Sequence, residues 1–190
     1  MSPKDIIHNP KGRPETKRQP NEDQKKDFKC AVEDTPGLKG AWKAGLQALR
    51  PEDKPHIFVE NTSTSRLRGS VDIDTALRKA YPNANRWDFA IGYQHTNRKE
   101  ECVYWVELHT ASDSQVKVVL AKHAWLLQWL AGDGKLLNAF ERNFVWLSSG
   151  STSFTPGSPQ RKRLAQVGLL PRDRRLTQTG TNFRIMNERR

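Results

Sequence analysis

The sequence of 190 residues predicts an α/β (α+β) fold, a small mixed central sheet flanked by helices, with flexible basic termini. Three observations predict it. Residues 87–94 and 102–111 alternate in the period of two that strands require. Residues 114–130 change to the three-and-four spacing of an amphipathic helix, and residues 144–149 return to a short apolar run.

Residues 1–34 are polar, rich in proline and without a sustained period, and are expected to form a disordered or loosely docked basic arm. The α/β core is expected over 35–154. Leu38, Trp42, Leu46 and Leu49 come near helical spacing between Thr35–Pro36 and Pro51, which predicts a first helix. HIFVE, residues 56–60, reads as a short strand and the NTSTSRLRG after it as a loop. VDIDTALRKAYP predicts a second helix, on Val71, Ala76, Leu77 and Ala80, closed by Pro82.

RWDFAIGYQH then alternates, with Trp87, Phe89, Ile91 and Tyr93 on one face and Asp88, Ala90, Gly92 and Gln94 on the other. The polar TNRKEE joins it to CVYWVELHTA as a hairpin. In the main helix Val116, Val119, Leu120, His123, Leu127 and Leu130 recur on one side, Ser112 to Ser114 mark its start and Gly132 its end. FVWLSS predicts a last core strand. Residues 155–190 are expected to form a basic extension, and GSTSFTPGSPQRKR, residues 150–163, which leads into it, reads as a loop-like strap.

Charge is concentrated at the ends of the chain. Of a net +11, residues 1–30 hold eight Lys and Arg against five acids and residues 155–190 nine against two, which leaves the middle near neutral at fifteen against fourteen. Basic ends on a neutral core favour a polyanionic partner, DNA or RNA, because phosphates attract them and release counterions on binding. Arg161, Lys162, Arg163, Arg172, Arg174 and Arg175 are the candidate contacts. Cys30 and Cys102 show neither zinc-ligand spacing nor a disulfide framework, so a reducing compartment is expected. No apolar run approaches the ~20 residues of a membrane span, and a soluble, cytoplasmic protein is expected.

In VYWVELHTA, residues 103–111, Trp105, Glu107 and His109 share one strand face, while Tyr104, Val106 and Leu108 share the other. If the hairpin sets Asp88 on the same face as Glu107, two carboxylates from neighbouring strands converge. Such carboxylates repel unless a cation lies between them, and Mg²⁺ takes one or two protein carboxylates together with substrate phosphates. Each residue also has a purely structural role open to it. Asp88 can cap a turn at the strand start, Glu107 can pair with Arg86 or Arg98, and His109 can be a hydrogen-bonded strand residue.

Asp88 in RWDFAIGY, followed by Glu107-x-His109 in VELH, resembles the motif of the PD-(D/E)XK nuclease superfamily. That family carries an Asp on one core strand and Glu-x-Lys on the next, and the likeness covers roughly residues 71–149. It implies a restriction-endonuclease-like fold with three strands between two helices, of which two are legible here unless HIFVE supplies the third from outside that order. It also implies metal-dependent phosphodiester hydrolysis, with Mg²⁺ or Mn²⁺ on Asp88 and Glu107. His109 stands where the family has Lys. Members that lack this lysine can supply one from the following helix, which nominates Lys122 and Lys117, and some add an acidic residue from the preceding helix, matched here by Asp72 and Asp74. The functions that compete with a nuclease are a non-catalytic nucleic-acid-binding protein and a protein-interaction module of a larger complex.

Overall fold

A computed structural model describes residues 27–59, 65–95, 98–149, 153–155, 157–169, 176–179 and 182–185. In chain order its elements are α1 (Phe28–Glu33), β1 (Ile57–Val59), β2 (Leu67–Asp72), α2 (Ile73–Leu77), β3 (Phe89–Gln94), β4 (Glu101–His109), α3 (Val116–Ala131), α4 (Lys135–Asn138), β5 (Glu141–Ser148), α5 (Pro159–Gln166), β6 (Leu176–Thr179) and β7 (Asn182–Ile185). The central sheet runs β2-β3-β4-β5, and a second sheet runs β1-β6-β7. The first three central strands form an antiparallel meander. After β4 the chain crosses through α3 and returns as β5 parallel to β4, since parallel neighbours need such a crossover. The architecture is α+β with a mixed four-stranded sheet.

Two apolar clusters lie on opposite faces of that sheet. On one face Val71, Ala90, Val103 and Trp105 meet Phe28 and Val32 of α1, Val119, Leu126 and Leu130 of α3, and Leu164 of α5. On the other, Phe89, Ile91, Tyr93, Tyr104, Val106 and Leu147 meet Leu49 and Ile57. The alternation expected within β4 is observed. Trp87 departs from its expected face and joins Ala90 under α3, because regular strand geometry starts only at Phe89.

The first helix is not where its spacing predicted. Residues 35–49 form successive turns rather than a helix, and Gly37, Gly40 and Gly45 sit at φ 82°, 78° and 55°, in the left-handed region that interrupts helical geometry. The helix lies earlier, at α1, inside the stretch expected to be a loose arm. Asp27 Oδ1 accepts from the backbone N–H of Lys29 at 2.8 Å and of Cys30 at 3.3 Å, as an N-cap does. The remaining residues of that arm, 1–26, lie outside the described residues.

Glu101 at the start of β4 ties α1 to the sheet. Its Oε2 accepts from Phe28 N at 2.8 Å and its Oε1 pairs with Arg68 Nε at 3.1 Å, with little of the carboxylate exposed. Phe28 presses on Gly92, where a Cβ would lie 2.4 Å from the ring Cδ1. Glu101→Ala leaves the buried Phe28 N–H without its acceptor and Arg68 without its carboxylate counter-charge, so chemical denaturation should show a loss of about 1–3 kcal/mol.

The third strand of the meander is β2, where the sequence pattern predicted a loop through Gly69 and the start of a helix from Val71. Strand passes into helix without a loop, for Asp72 ends β2 and caps α2 by accepting from Thr75 N at 2.8 Å. The outer edge of β2 is covered by a bridge between Lys43 and Ser70 and by Trp42, whose Nε1 donates to Arg68 O at 2.9 Å. Gly69, at φ 112°, admits that indole; a Cβ there would lie 2.1 Å from Trp42 Nε1. HIFVE does contain a strand, β1, but it pairs in parallel with β6 in the second sheet and is not part of the meander. GSTSFTPGSPQRKR is likewise more than a loop. Ser158 Oγ caps α5 by accepting from Arg161 N, which places Pro159 to Arg163 in the helix.

Candidate active site

Asp88 and Glu107 face one another across the β3–β4 hairpin. The last ladder pair is Phe89 with Val106, and one step beyond it lies Asp88 opposite Glu107. Both point to the side covered by α3, the side of Trp105 and Ala90. Asp88 Oδ2 accepts from Leu108 N at 2.9 Å, which fixes that carboxylate against β4.

Lys122 completes the group from above. Val119, Lys122, His123 and Leu126 follow the i, i+3, i+4, i+7 pattern, which turns Lys122 inward beside buried neighbours, whereas Lys117 is exposed. The Lys122 ammonium donates to Glu107 Oε1 at 2.5 Å and to Asp88 Oδ1 at 3.1 Å. Side-chain exposure is 17% for Lys122, 9% for Asp88 and 0% for Glu107, so the lysine is the most exposed side chain of the three. Glu107 Oε2 is buried and has no hydrogen-bond partner among the described residues.

Burial, reinforced by the neighbouring Asp88 carboxylate, pushes the Glu107 carboxyl up to about 8 against the pull of Lys122. Burial alone would lower Lys122, but the two carboxylates outweigh it and raise the amine. Folded Glu107 therefore keeps a proton up to about 8 that the unfolded chain releases near 4.5. Between those values the native state binds more protons than the unfolded state, and stability falls as pH rises. The contribution is complete below 4.5 and lost as pH passes through about 8. Glu107→Gln should flatten this slope in denaturation midpoints measured from pH 5 to 9.

His109 takes no part in these contacts. Its Nε2 lies 2.7 Å from Gln115 Oε1, in the turn that leads into α3, and its carbonyl accepts from Trp146 Nε1 at 3.1 Å. The sequence pattern gave no warning of the Gln115 partnership, which arises from a turn and not from a period. Arg86 and Arg98 pair elsewhere, with Asp74 and Glu141 respectively.

The two acids of the α2 region are occupied as well. Asp72 caps α2, and Asp74 pairs with Arg86 at 2.9 Å and Arg78 at 2.7 Å. Burial would raise Asp74, but the two guanidinium groups hold it below the usual carboxylate range. His123 packs its ring 4.7 Å from that of Phe144 and 6.0 Å from Trp87, and burial lowers it.

The chain matches no protein-family model, no curated protein and no solved structure. Asp88 and Glu107 offer hard oxygen donors of the kind Mg²⁺ and Mn²⁺ prefer. The unpartnered Glu107 Oε2, together with an ammonium already drawn between the carboxylates, fits a position that favours positive charge. Among the described residues no three His, Cys, Asp or Glu side chains are arranged to hold a metal ion together, so a cation here would take its other ligands from water or substrate.

Arg161, Lys162 and Arg163 are exposed on α5, whose Leu164 docks in the cluster beneath α3. Arg172, Arg174 and Arg175 lie outside the described residues. Among the described residues Cys30 and Cys102 are free thiols, and no helix is long and apolar enough to cross a membrane.

Proposed function

We propose that this protein is a metal-dependent nuclease of the PD-(D/E)XK type, hydrolysing phosphodiester bonds of DNA or RNA in the cytoplasm. The observation that carries it is the meeting of Asp88, Glu107 and Lys122 on one sheet face. The element order supports it further. In chain order β2, α2, β3 and β4 lie between α1 and α3, with β1 before them, and β5 follows parallel to β4; an antiparallel β2-β3-β4 meander of three strands is compatible with the resemblance.

Asp88 and Glu107 would hold the Mg²⁺ or Mn²⁺. Bound there, the cation would supply Lewis acidity toward a phosphoryl oxygen and a more acidic water. Lys122 takes the role that the motif gives to lysine, balancing negative charge beside the scissile group, and it does so from the helix instead of the strand. His109, anchored by Gln115, orients the strand end and the start of α3 and serves the site as a positioning residue. Leu108 N keeps the Asp88 carboxylate turned toward Glu107.

The exposed cations of α5 would contact substrate phosphates. Replacing Arg161, Lys162 and Arg163 together by Ala should weaken binding evenly across sequences and reduce the slope of log K against log salt by up to about 3. Fluorescence anisotropy at several salt concentrations checks this.

A non-catalytic nucleic-acid-binding protein is the second reading, favoured by the ion pairs that already neutralise much of the carboxylate charge. Labelled single- and double-stranded DNA and RNA, incubated with Mg²⁺ or Mn²⁺ and with chelator, separate the two. Cleavage that chelator abolishes supports the nuclease. Salt-sensitive binding with neither cleavage nor metal uptake would transfer the assignment to the binding protein.

A further inference from the structure

We infer that the Lys122 ammonium is an internal countercation occupying the position between Asp88 and Glu107, so that one divalent cation enters by displacing it. The inference rests on the assignment of this carboxylate pair as a metal site and adds how the site is kept without metal.

The oxygen atoms define the competition. Asp88 Oδ2 is committed to Leu108 N, while Asp88 Oδ1 and Glu107 Oε1 both receive Lys122 Nζ. A cation that used those two oxygens would share them with an ammonium at 3.1 and 2.5 Å, and the two positive charges would repel. Glu107 Oε2, buried, is the one oxygen of the two carboxylates with no hydrogen-bond partner among the described residues. Once the ammonium leaves, Asp88 Oδ2 is still held by Leu108 N, and a single pair of carboxylates with that oxygen engaged suits one cation.

Access runs through the lysine. Glu107 is fully buried, and the most exposed of the three groups is the Lys122 side chain. Its flexible four-carbon stem lets the ammonium swing toward solvent while α3 stays in place. Once displaced, the same charge remains near the site and can face an incoming phosphate.

Removing the countercation should therefore tighten metal binding. Calorimetric titration of the full chain with Mn²⁺ should show one site, with affinity at least tenfold higher in Lys122→Met than in the wild type. Melting temperatures supply a second readout, because a metal that binds only the folded state stabilises it in proportion to its affinity. Mn²⁺ should raise the melting temperature of the variant more than that of the wild type. Lys122→Gln, which keeps a neutral donor, replaces Lys122→Met should the latter fail to fold.

Equal or weaker Mn²⁺ affinity in the folded variant overturns the displacement. If the wild type then still binds Mn²⁺ and cleaves, the nuclease assignment stands without it. Tighter binding in the variant with no cleavage by the wild type supports displacement and removes the nuclease. Absence of Mn²⁺ binding in both proteins removes both.

Discussion

Glu107→Gln should reduce metal-dependent cleavage by about 10³-fold or more, equivalent to roughly 4 kcal/mol of transition-state stabilisation. The amide keeps the volume of the side chain but cannot ionise and offers one oxygen donor fewer to a metal. Its amide oxygen can still accept from Lys122, which keeps Asp88 as its one carboxylate partner. Because Gln fills the same space, the far-ultraviolet circular dichroism and cooperative unfolding of the variant should resemble those of the wild type. A folded variant with unchanged cleavage would exclude Glu107 from the chemistry. The wild type should bind metal more tightly as pH rises through about 8, since Glu107 must release its proton to become a ligand. In Glu107→Gln that dependence should disappear, and calorimetry at pH 7 and 9 reads the difference.

Trp105→Ala should cost about 3–5 kcal/mol of folding stability. Trp105 is fully buried on the same strand face as Glu107, and its ring meets Trp129 edge-on at 6.2 Å. Trp125 stacks on Trp129 in turn, at 6.1 Å and 15°, so one indole on β4 supports two on α3. Deleting it leaves a cavity between the sheet and the helix that carries Lys122. Trp105 Nε1 has no hydrogen-bond partner among the described residues, so the large loss belongs to ring volume and not to a lost polar contact. Trp105→Phe, which keeps much of the ring, should therefore cost well under half as much. Urea denaturation of the two variants checks the order, and equal losses would point to the indole N–H instead.

The strongest periodicities were the most legible. The hairpin of β3 and β4, the amphipathic α3 and the apolar β5 all lie where their residue patterns place them, and with them come Asp88, Glu107 and the helix that carries Lys122. Residues 35–49 misled because Leu38, Trp42, Leu46 and Leu49 match helical spacing, while the three glycines among them adopt left-handed backbone. β2 was hidden for a different reason. Gly69 and Ser70 carry no large apolar side chain, and Val71 sits two residues from Ile73 in a strand that turns into a helix at Asp72. Only pairing with β3 distinguishes it, and pairing is a tertiary fact. The site followed the same division. Periodicity sets the face of Glu107, whereas the resemblance alone nominates Lys122 and its inward turn comes from the structure. The occupation of Asp74 by two arginines and of His109 by Gln115 depends on turns whose geometry no period encodes.

The parallel pairing of β4 with β5 bears on the order in which a ribosome delivers the site. Asp88, Glu107 and Lys122 fall within one uninterrupted stretch of 35 residues, from a hairpin and the helix after it. Trp146, the register partner of Glu107, lies 24 residues beyond Lys122. During translation every charged member of the group is on the chain before the strand that flanks Glu107 exists. Charge pairing can therefore be settled in a growing hairpin and helix, with β5 arriving last to close the side of β4 that synthesis leaves open.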